Sequence, residues 1–273
     1  MTYHDSQLAG LLKPHLKRVL VLDSARHSAR LLNELLRDLG AQEVVIQASN
    51  AMADAAVKRL DPQVIFTDLT GPGLDGLEFA RALRRSDLPS RQAAVIVITA
   101  EATAATILAS RQAGAHEFLK KPFTVKDLTR RLDAAILRQR DWIEAINYIG
   151  PDRRRFNSGD YVGPRKRLSD HPPTSDKERI TQALKILRAA IAAIESDPTQ
   201  ALRSMRAQAV ELHGAGMASS DVKLVAAVAV LQRCLMEAAA NGRMSRPDIE
   251  ASAEGLWPYL PAEKASKPTF ELN

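Results

Sequence analysis

Between residues 18 and 140, short unbroken apolar runs alternate with stretches in which leucines return at helical spacing. The runs are Val19–Leu22, Val44–Ile46, Val64–Phe66, Ala94–Ile98 and a weaker Phe118–Leu119. No polar residue alternates within them, so they read as strands buried on both faces, the pattern of a parallel sheet covered by helices. Between them Leu31, Leu32, Leu35, Leu36 and Leu39 share a helical face and stop at Gly40, a residue suited to a C-terminal cap; Leu77, Ala80 and Leu83 repeat the spacing. Thr124-Val-Lys-Asp127 reads as a capping-box start, with Leu128, Leu132 and Ile136 on one face beyond it. Five strands alternating with five helices predict a doubly wound α/β domain with a five-stranded parallel sheet.

After residue 174 the pattern becomes helical throughout. Ser175-Asp-Lys-Glu178 has the form of a capping box, and Ile180, Leu184, Leu187, Ile191 and Ile194 follow at steps of four and three. Asp197-Pro198 restarts a helix, Asp221 can cap a third through Leu235, and Pro247 can open a fourth toward Trp257. This predicts a small all-α bundle. The expected organisation is an N-terminal extension at 1–16, the α/β domain at 17–140, a basic linker at 141–174, the helical domain at 175–260 and a tail at 261–273.

With 273 residues, 45% of them hydrophobic, the chain is long enough for two cores. Its formal charge of +6 gathers largely in the linker, which points to a local basic binding segment rather than a uniformly basic fold. A single cysteine, Cys234, rules out an intrachain disulfide, and its spacing with Leu231 and Leu235 reads as core. The N-terminus lacks the pattern of a secretory signal, and the apolar run Val225–Leu231 falls far short of the roughly 20 residues a membrane helix needs. A soluble, cytoplasmic protein without a membrane span is expected.

The chemistry lies at the predicted strand ends: Asp23 and Ser24 after the first strand, Asp68 after the third, Thr99 after the fourth and Lys121 after the fifth. A parallel sheet brings these to one edge. Carboxylates there suit a hard divalent cation, Thr and Lys suit phosphoryl oxygens, and Asp68 can act as a nucleophile forming an aspartyl phosphate.

The blocks RVLVLDS, VIFTDLTGPGLDG, VIVITA and FLKKPF resemble, in order and spacing, the signatures of CheY-like response-regulator receiver domains, over about residues 17 to 140. The resemblance implies the flavodoxin-like receiver fold. It further implies that Asp68 accepts a phosphoryl group from a histidine kinase or phosphotransfer protein, as a phospho-acceptor rather than an enzyme beyond slow autodephosphorylation. Asp23, Asp68 and the Thr70 backbone carbonyl would hold Mg²⁺. Thr99 and Lys121 would bind the phosphoryl oxygens, Phe118 would be the switch aromatic, and Lys121-Pro122 would be cis. Receivers usually carry two adjacent acids after the first strand; here the second is Ser24, which supplies no charge, so weaker Mg²⁺ binding is expected. Phosphorylation at Asp68 is the favoured reading, and a pseudo-receiver scaffold that binds partners without chemistry is the alternative.

The linker states one phrase twice: Tyr148-Ile-Gly-Pro with Asp152 and Arg153, Arg154 and Arg155, then Tyr161-Val-Gly-Pro with Arg165, Lys166 and Arg167. A solvated spacer explains the charge but not the repetition. Paired guanidinium clusters and aromatics suit guanines and phosphates, and the segment resembles arginine-rich tails of some CheY-like proteins that bind cyclic di-GMP. An anionic membrane or nucleic acid is a further candidate partner. His213 reads as a structural or exposed histidine, with a phosphorelay adaptor role as the minor alternative. No helix-turn-helix phrase is evident, so a downstream protein target is expected rather than specific DNA, and the repeat from Ile180 to Ile194 could close either an intramolecular bundle or a homodimer.

Overall fold

The computed structural model describes residues 3–138, 140–153, 175–241 and 244–261. The chain divides into two compact units, one of Met1–Ile143 with Asn147–Asp170, the other of Glu144–Ile146 with His171–Asn273.

In the first unit, helix α1 (Tyr3–Leu12) precedes β1 (Arg18–Leu22), α2 (Arg26–Asp38), β2 (Glu43–Gln47), α3 (Asn50–Leu60) and β3 (Val64–Thr67). Two short strands, β4 (Thr70–Gly71) and β5 (Leu74–Asp75), lead into α4 (Gly76–Arg85), β6 (Ala94–Thr99), α5 (Ala104–Gln112), β7 (Glu117–Lys120) and α6 (Val125–Leu132). The main sheet is parallel, in the order β2-β1-β3-β6-β7. Alternate strand residues feed two cores. Leu20, Ile65 and Val95 pack with α3 and α4 through Val57, Phe79 and Leu83. Val19, Val21, Phe66 and Ile96 pack with α2 and α6 through Leu32, Leu36, Leu128 and Leu132. This is the doubly wound architecture that the apolar runs predict.

The local signals act as expected at several element ends. Gly40, at φ +96°, follows α2 and donates to the Arg37 carbonyl at 2.9 Å, the left-handed exit that costs glycine least. Thr124 and Asp127 form a reciprocal capping box at α6. Three features differ from expectation. β2 is an edge strand with Ile46 partly exposed, so it is not buried on both faces. Helix α6 ends at Leu132 and continues as a π-helical turn, Asp133–Leu137, which carries Ile136. The presumed N-terminal extension is helical, and Leu12 and Leu16 are fully buried beside Leu128 and Leu132.

The expected linker begins with a hairpin rather than a spacer: β8 (Trp142–Ala145) pairs with β9 (Tyr148–Pro151). The second unit contains α7 (Asp176–Ala192), α8 (Pro198–Ala218), α9 (Val222–Asn241) and α10 (Arg246–Ala253), followed by a 3₁₀ turn, Glu254–Tyr259. Ser175, Asp197 and Asp221 cap α7, α8 and α9 by accepting from Glu178, Gln200 and Leu224 N–H groups at 3.3, 3.1 and 3.0 Å. The predicted stripe from Ile180 to Ile194 is buried in one core with Leu212, Leu224, Leu231 and Leu256. A buried polar stripe on α8 serves Glu144: Gln200 Nε2 donates to its carboxylate at 3.1 Å, and Ser204 Oγ and Gln208 Nε2 donate to its carbonyl at 3.0 and 3.2 Å. Cys234 is only half-buried and edges this core rather than filling it. Among the described residues, no helix is long and apolar enough to cross a membrane.

Candidate phosphoryl-acceptor site

Strand order reverses on either side of β1 and β3, which opens a crevice at their C-terminal ends. Asp23 follows β1, Asp68 follows β3, Thr99 ends β6 and Lys121 follows β7, so all four stand at that edge. Asp23 Oδ1 accepts from the Ala25 N–H at 2.8 Å, and Asp68 Oδ1 from the Leu69 N–H at 2.7 Å. These bonds fix each carboxylate and turn its other oxygen toward Lys121. Lys121 Nζ donates to Asp23 Oδ2 at 2.8 Å and to Asp68 Oδ2 at 2.7 Å. Burial alone would lower the Lys121 pKa, but hydrogen bonds and charges from both aspartates outweigh it, and the net effect is upward. The ammonium is therefore a fixed cation between two acids at neutral pH. Its backbone N–H donates to the Thr99 carbonyl at 2.8 Å, and the following Lys121-Pro122 bond is cis.

The loop after β3 is crowded. A Cβ on Gly76 would lie 1.9 Å from the Asp68 carbonyl oxygen and 2.5 Å from Thr67 Oγ1, so only glycine lets α4 start against the back of Asp68. Asp75 caps that helix by accepting from the Leu77 and Glu78 N–H groups. A Cβ on Gly71 would come within 2.2 Å of Ser24 Oγ, which places the Ser24 hydroxyl against the loop that carries Thr70. Thr99 is buried, and its Oγ1 accepts from the Glu101 N–H at 3.2 Å. Phe118 is turned inward and packed in the core on the α3 and α4 face.

Of the proposed linker ligands, Tyr148, Asp152 and Arg153 are described, while Arg154, Arg155, Tyr161, Arg165 and Arg167 lie outside the described residues. Tyr148 is buried, and its hydroxyl donates to the Pro151 carbonyl at 2.5 Å. Burial pushes its pKa up to about 12. The Arg153 guanidinium lies 4.4 Å from the centre of its ring. Tyr148 is thus part of the fold with a face already covered, not an open stacking platform. Asp152 is half-buried, and its charge acts on Arg140.

Sequence reasoning missed a second polar cluster, at the opposite edge of the sheet. Arg84, on α4, is 1% exposed. All of its N–H donors are used: Nε and Nη2 on the Gly114 carbonyl at 3.0 and 2.8 Å, Nη1 on the Arg91 and Ala93 carbonyls at 2.5 and 3.0 Å, and Nη2 also on His116 Nδ1 at 3.2 Å. Its guanidinium carbon stands 5.3 Å from the Trp142 ring centre. No described carboxylate pairs with it, and burial pushes its pKa down to about 9, with Arg91 adding to the fall. The same Nδ1 of His116 accepts from the Val95 N–H at 3.2 Å, which puts the ring proton on Nε2; burial, then Arg84 and Arg140, hold the imidazole neutral. Nearby, Glu117 is paired with Arg131 at 3.3 Å and with Arg140 at 2.8 Å. His213, half-buried on α8, has an Nδ1 without a hydrogen-bond partner among the described residues.

Residues 19–133 match the family model of the response regulator receiver domain. The chain is similar to the chemotaxis protein CheY-3 of Vibrio cholerae, 30% identical over 126 residues that span 46% of this chain and 95% of that one. It is also similar to the DNA-binding response regulator MtrA of Mycolicibacterium smegmatis, 31% identical over 126 residues, 46% of this chain but only 53% of that protein. The chain thus spans about half the length of the MtrA relatives it matches. Among solved structures, Vibrio cholerae CheY4 aligns with a TM-score of 0.42 and 25% identity over 44% of this chain and 99% of that one.

Proposed function

Through residues 19–133 the chain belongs to the response regulator receiver domain family, and on that premise we propose that it is a two-component response regulator phosphorylated on Asp68 by a histidine kinase or phosphotransfer protein. The observation that supports this most directly is the Lys121 ammonium, within 2.8 Å of both Asp23 and Asp68. The cation draws Asp68 Oδ2 into the crevice, where it stands as the candidate nucleophile. In the transfer, Asp68 Oδ2 forms a bond to phosphorus, the bond from phosphorus to the donor nitrogen breaks, and its electron pair stays with the donor imidazole. Lys121 and Thr99 would follow the phosphoryl oxygens, the first by charge and the second by its hydroxyl. Phe118, on β7 and turned into the core on the α3 and α4 face, would respond as Thr99 moves.

Asp23, Asp68 and the Thr70 carbonyl would hold Mg²⁺, with Ser24 contributing a neutral hydroxyl. Among the described residues no group of three His, Cys, Asp or Glu side chains is placed to hold a metal, so the cation would rest on two carboxylates, a carbonyl and water, a set that Mg²⁺ tolerates. Bound there, it would neutralise charge on the transferring phosphoryl group. The new charge at Asp68 would bias two conformations of the face formed by α5, β7 and α6. Output would run through protein contacts in the cytoplasm, without catalysis beyond slow loss of the phosphoryl group.

Labelling with radioactive acetyl phosphate, with and without Mg²⁺, tests this reading. Mg²⁺-dependent label is expected on the parent chain and none on Asp68→Asn. Label that persists in Asp68→Asn, or a parent chain that takes none, overturns it in favour of a phosphorylation-independent scaffold, the reading in which the arginine-rich linker and cyclic di-GMP would carry the signal.

A further inference from the structure

At the edge of the sheet remote from Asp68, a cavity of about 330 Å³ opens between α4 and β9. Arg81, Arg85 and Arg153 stand exposed on its rim beside Asn147, and Arg84 and Tyr148 form its floor. All of these residues belong to the first unit. Four guanidinium groups around one hollow create a positive potential that low-dielectric walls concentrate. A buried charge is costly unless an opposite charge answers it, and among the described residues Arg84 is answered only by carbonyl dipoles, a histidine lone pair and an indole face. With its donors spent, Arg84 cannot reach out to a ligand, but its charge still acts across the hollow. Direct bonds fall to Arg81, held only loosely by Glu78 at 3.6 Å, and to Arg153, whose guanidinium lies over the Tyr148 ring.

We propose that this cavity binds a phosphate ester of mononucleotide size, with its phosphate between Arg81 and Arg153 over the Arg84 charge and its polar head against Asn147. The chemistry of the walls selects a phosphate: planar guanidinium forks match its oxygens, and the anion supplies the counter-charge that the floor lacks. The size selects an ester over the bare ion, because the hollow is far larger than inorganic phosphate requires and lies at the low end of ordinary small-molecule sites. The Asn147 amide offers a donor and an acceptor at the rim for the edge of a planar base. The assignment is independent of Asp68 and uses no step of phosphoryl transfer.

The test is calorimetry on the full chain with guanosine and adenosine 5′-monophosphates against inorganic phosphate. A parallel titration follows Trp142 fluorescence in a Trp257→Phe background, where Trp142 is the remaining indole and sits beside the floor. Saturable binding of at least one monophosphate in the millimolar range or tighter is expected, with inorganic phosphate weaker by about tenfold. Arg81→Glu and Arg153→Glu, both at exposed positions, should each weaken it by about tenfold or more. No saturable response to any probe, inorganic phosphate binding as tightly as the nucleotides, or parent-like binding in both charge reversals overturns the proposal.

Discussion

Lys121 and Arg84 are both cations drawn out of water at the two edges of one sheet, yet the protein holds them by opposite means. Lys121 lies between two carboxylates, and their pull raises its pKa. Arg84 is enclosed by carbonyl dipoles, and desolvation lowers its pKa to about 9. A charge held by other charges can be exchanged: a metal ion or a phosphoryl group can take over part of the arrangement without rebuilding the backbone. A charge held by backbone carbonyls is part of the framework, because its removal strands every carbonyl it served. The first environment suits chemistry, the second suits architecture with an electrostatic remainder.

The sharpest way to break this contrast is Arg84→Ala. It should cost about 3–5 kcal/mol in chemical denaturation, through a cavity and the orphaned carbonyls of Arg91, Ala93 and Gly114. A loss below about 1 kcal/mol would place Arg84 with ordinary surface arginines. Lys121→Met should cost less, about 1–2 kcal/mol, because the site is partly open to solvent and its acids can rehydrate. Ser24→Asp should restore a third acid and raise Mg²⁺ affinity by about tenfold in calorimetry, and an unchanged affinity would show that position 24 does not face the cation. The smallest effect is a pH dependence. Since the folded pKa of Lys121 is raised, its ionic stabilisation is fully present below the unfolded value of 10.5 and is lost as pH climbs through the raised folded value. Stability should therefore fall in that alkaline window in the parent chain, and less steeply in Lys121→Met.

The contrast also separates what was legible in the sequence from what was not. The strands could be read because central parallel strands need apolar residues on both faces, and the acidic crevice followed from looking just beyond their ends. β2 was over-read, since an apolar run does not reveal that a strand lies at the edge of its sheet. Arg84 was invisible: in "ALRR" it looks like one more solvated helix charge, and its burial depends on carbonyls beyond its own helix, 7, 9 and 30 residues further along the chain. The stripe Gln200, Ser204, Gln208 hid for the same reason, because polar residues one turn apart normally mark a solvent face and here serve Glu144. The hairpin of β8 and β9 was masked by the Gly-Pro of its second strand. Helix α1 escaped notice because its buried leucines, Leu12 and Leu16, lie beyond or at its last turn, where helical periodicity gives no warning.

The paired arginines on Glu117 give β7 a mechanical character. The strand is four residues long, with Glu117 anchored by Arg131 and Arg140 at one end and Lys121 just past the other. Sliding it along its axis would stretch two buried ion pairs at once. Along its length the strand is also paired with β6, from Ile96 beside Glu117 to Thr99 beside Lys120. β7 is therefore a pinned strut rather than a piston, and motion at the acidic crevice should stay at its lysine end instead of sliding the strand.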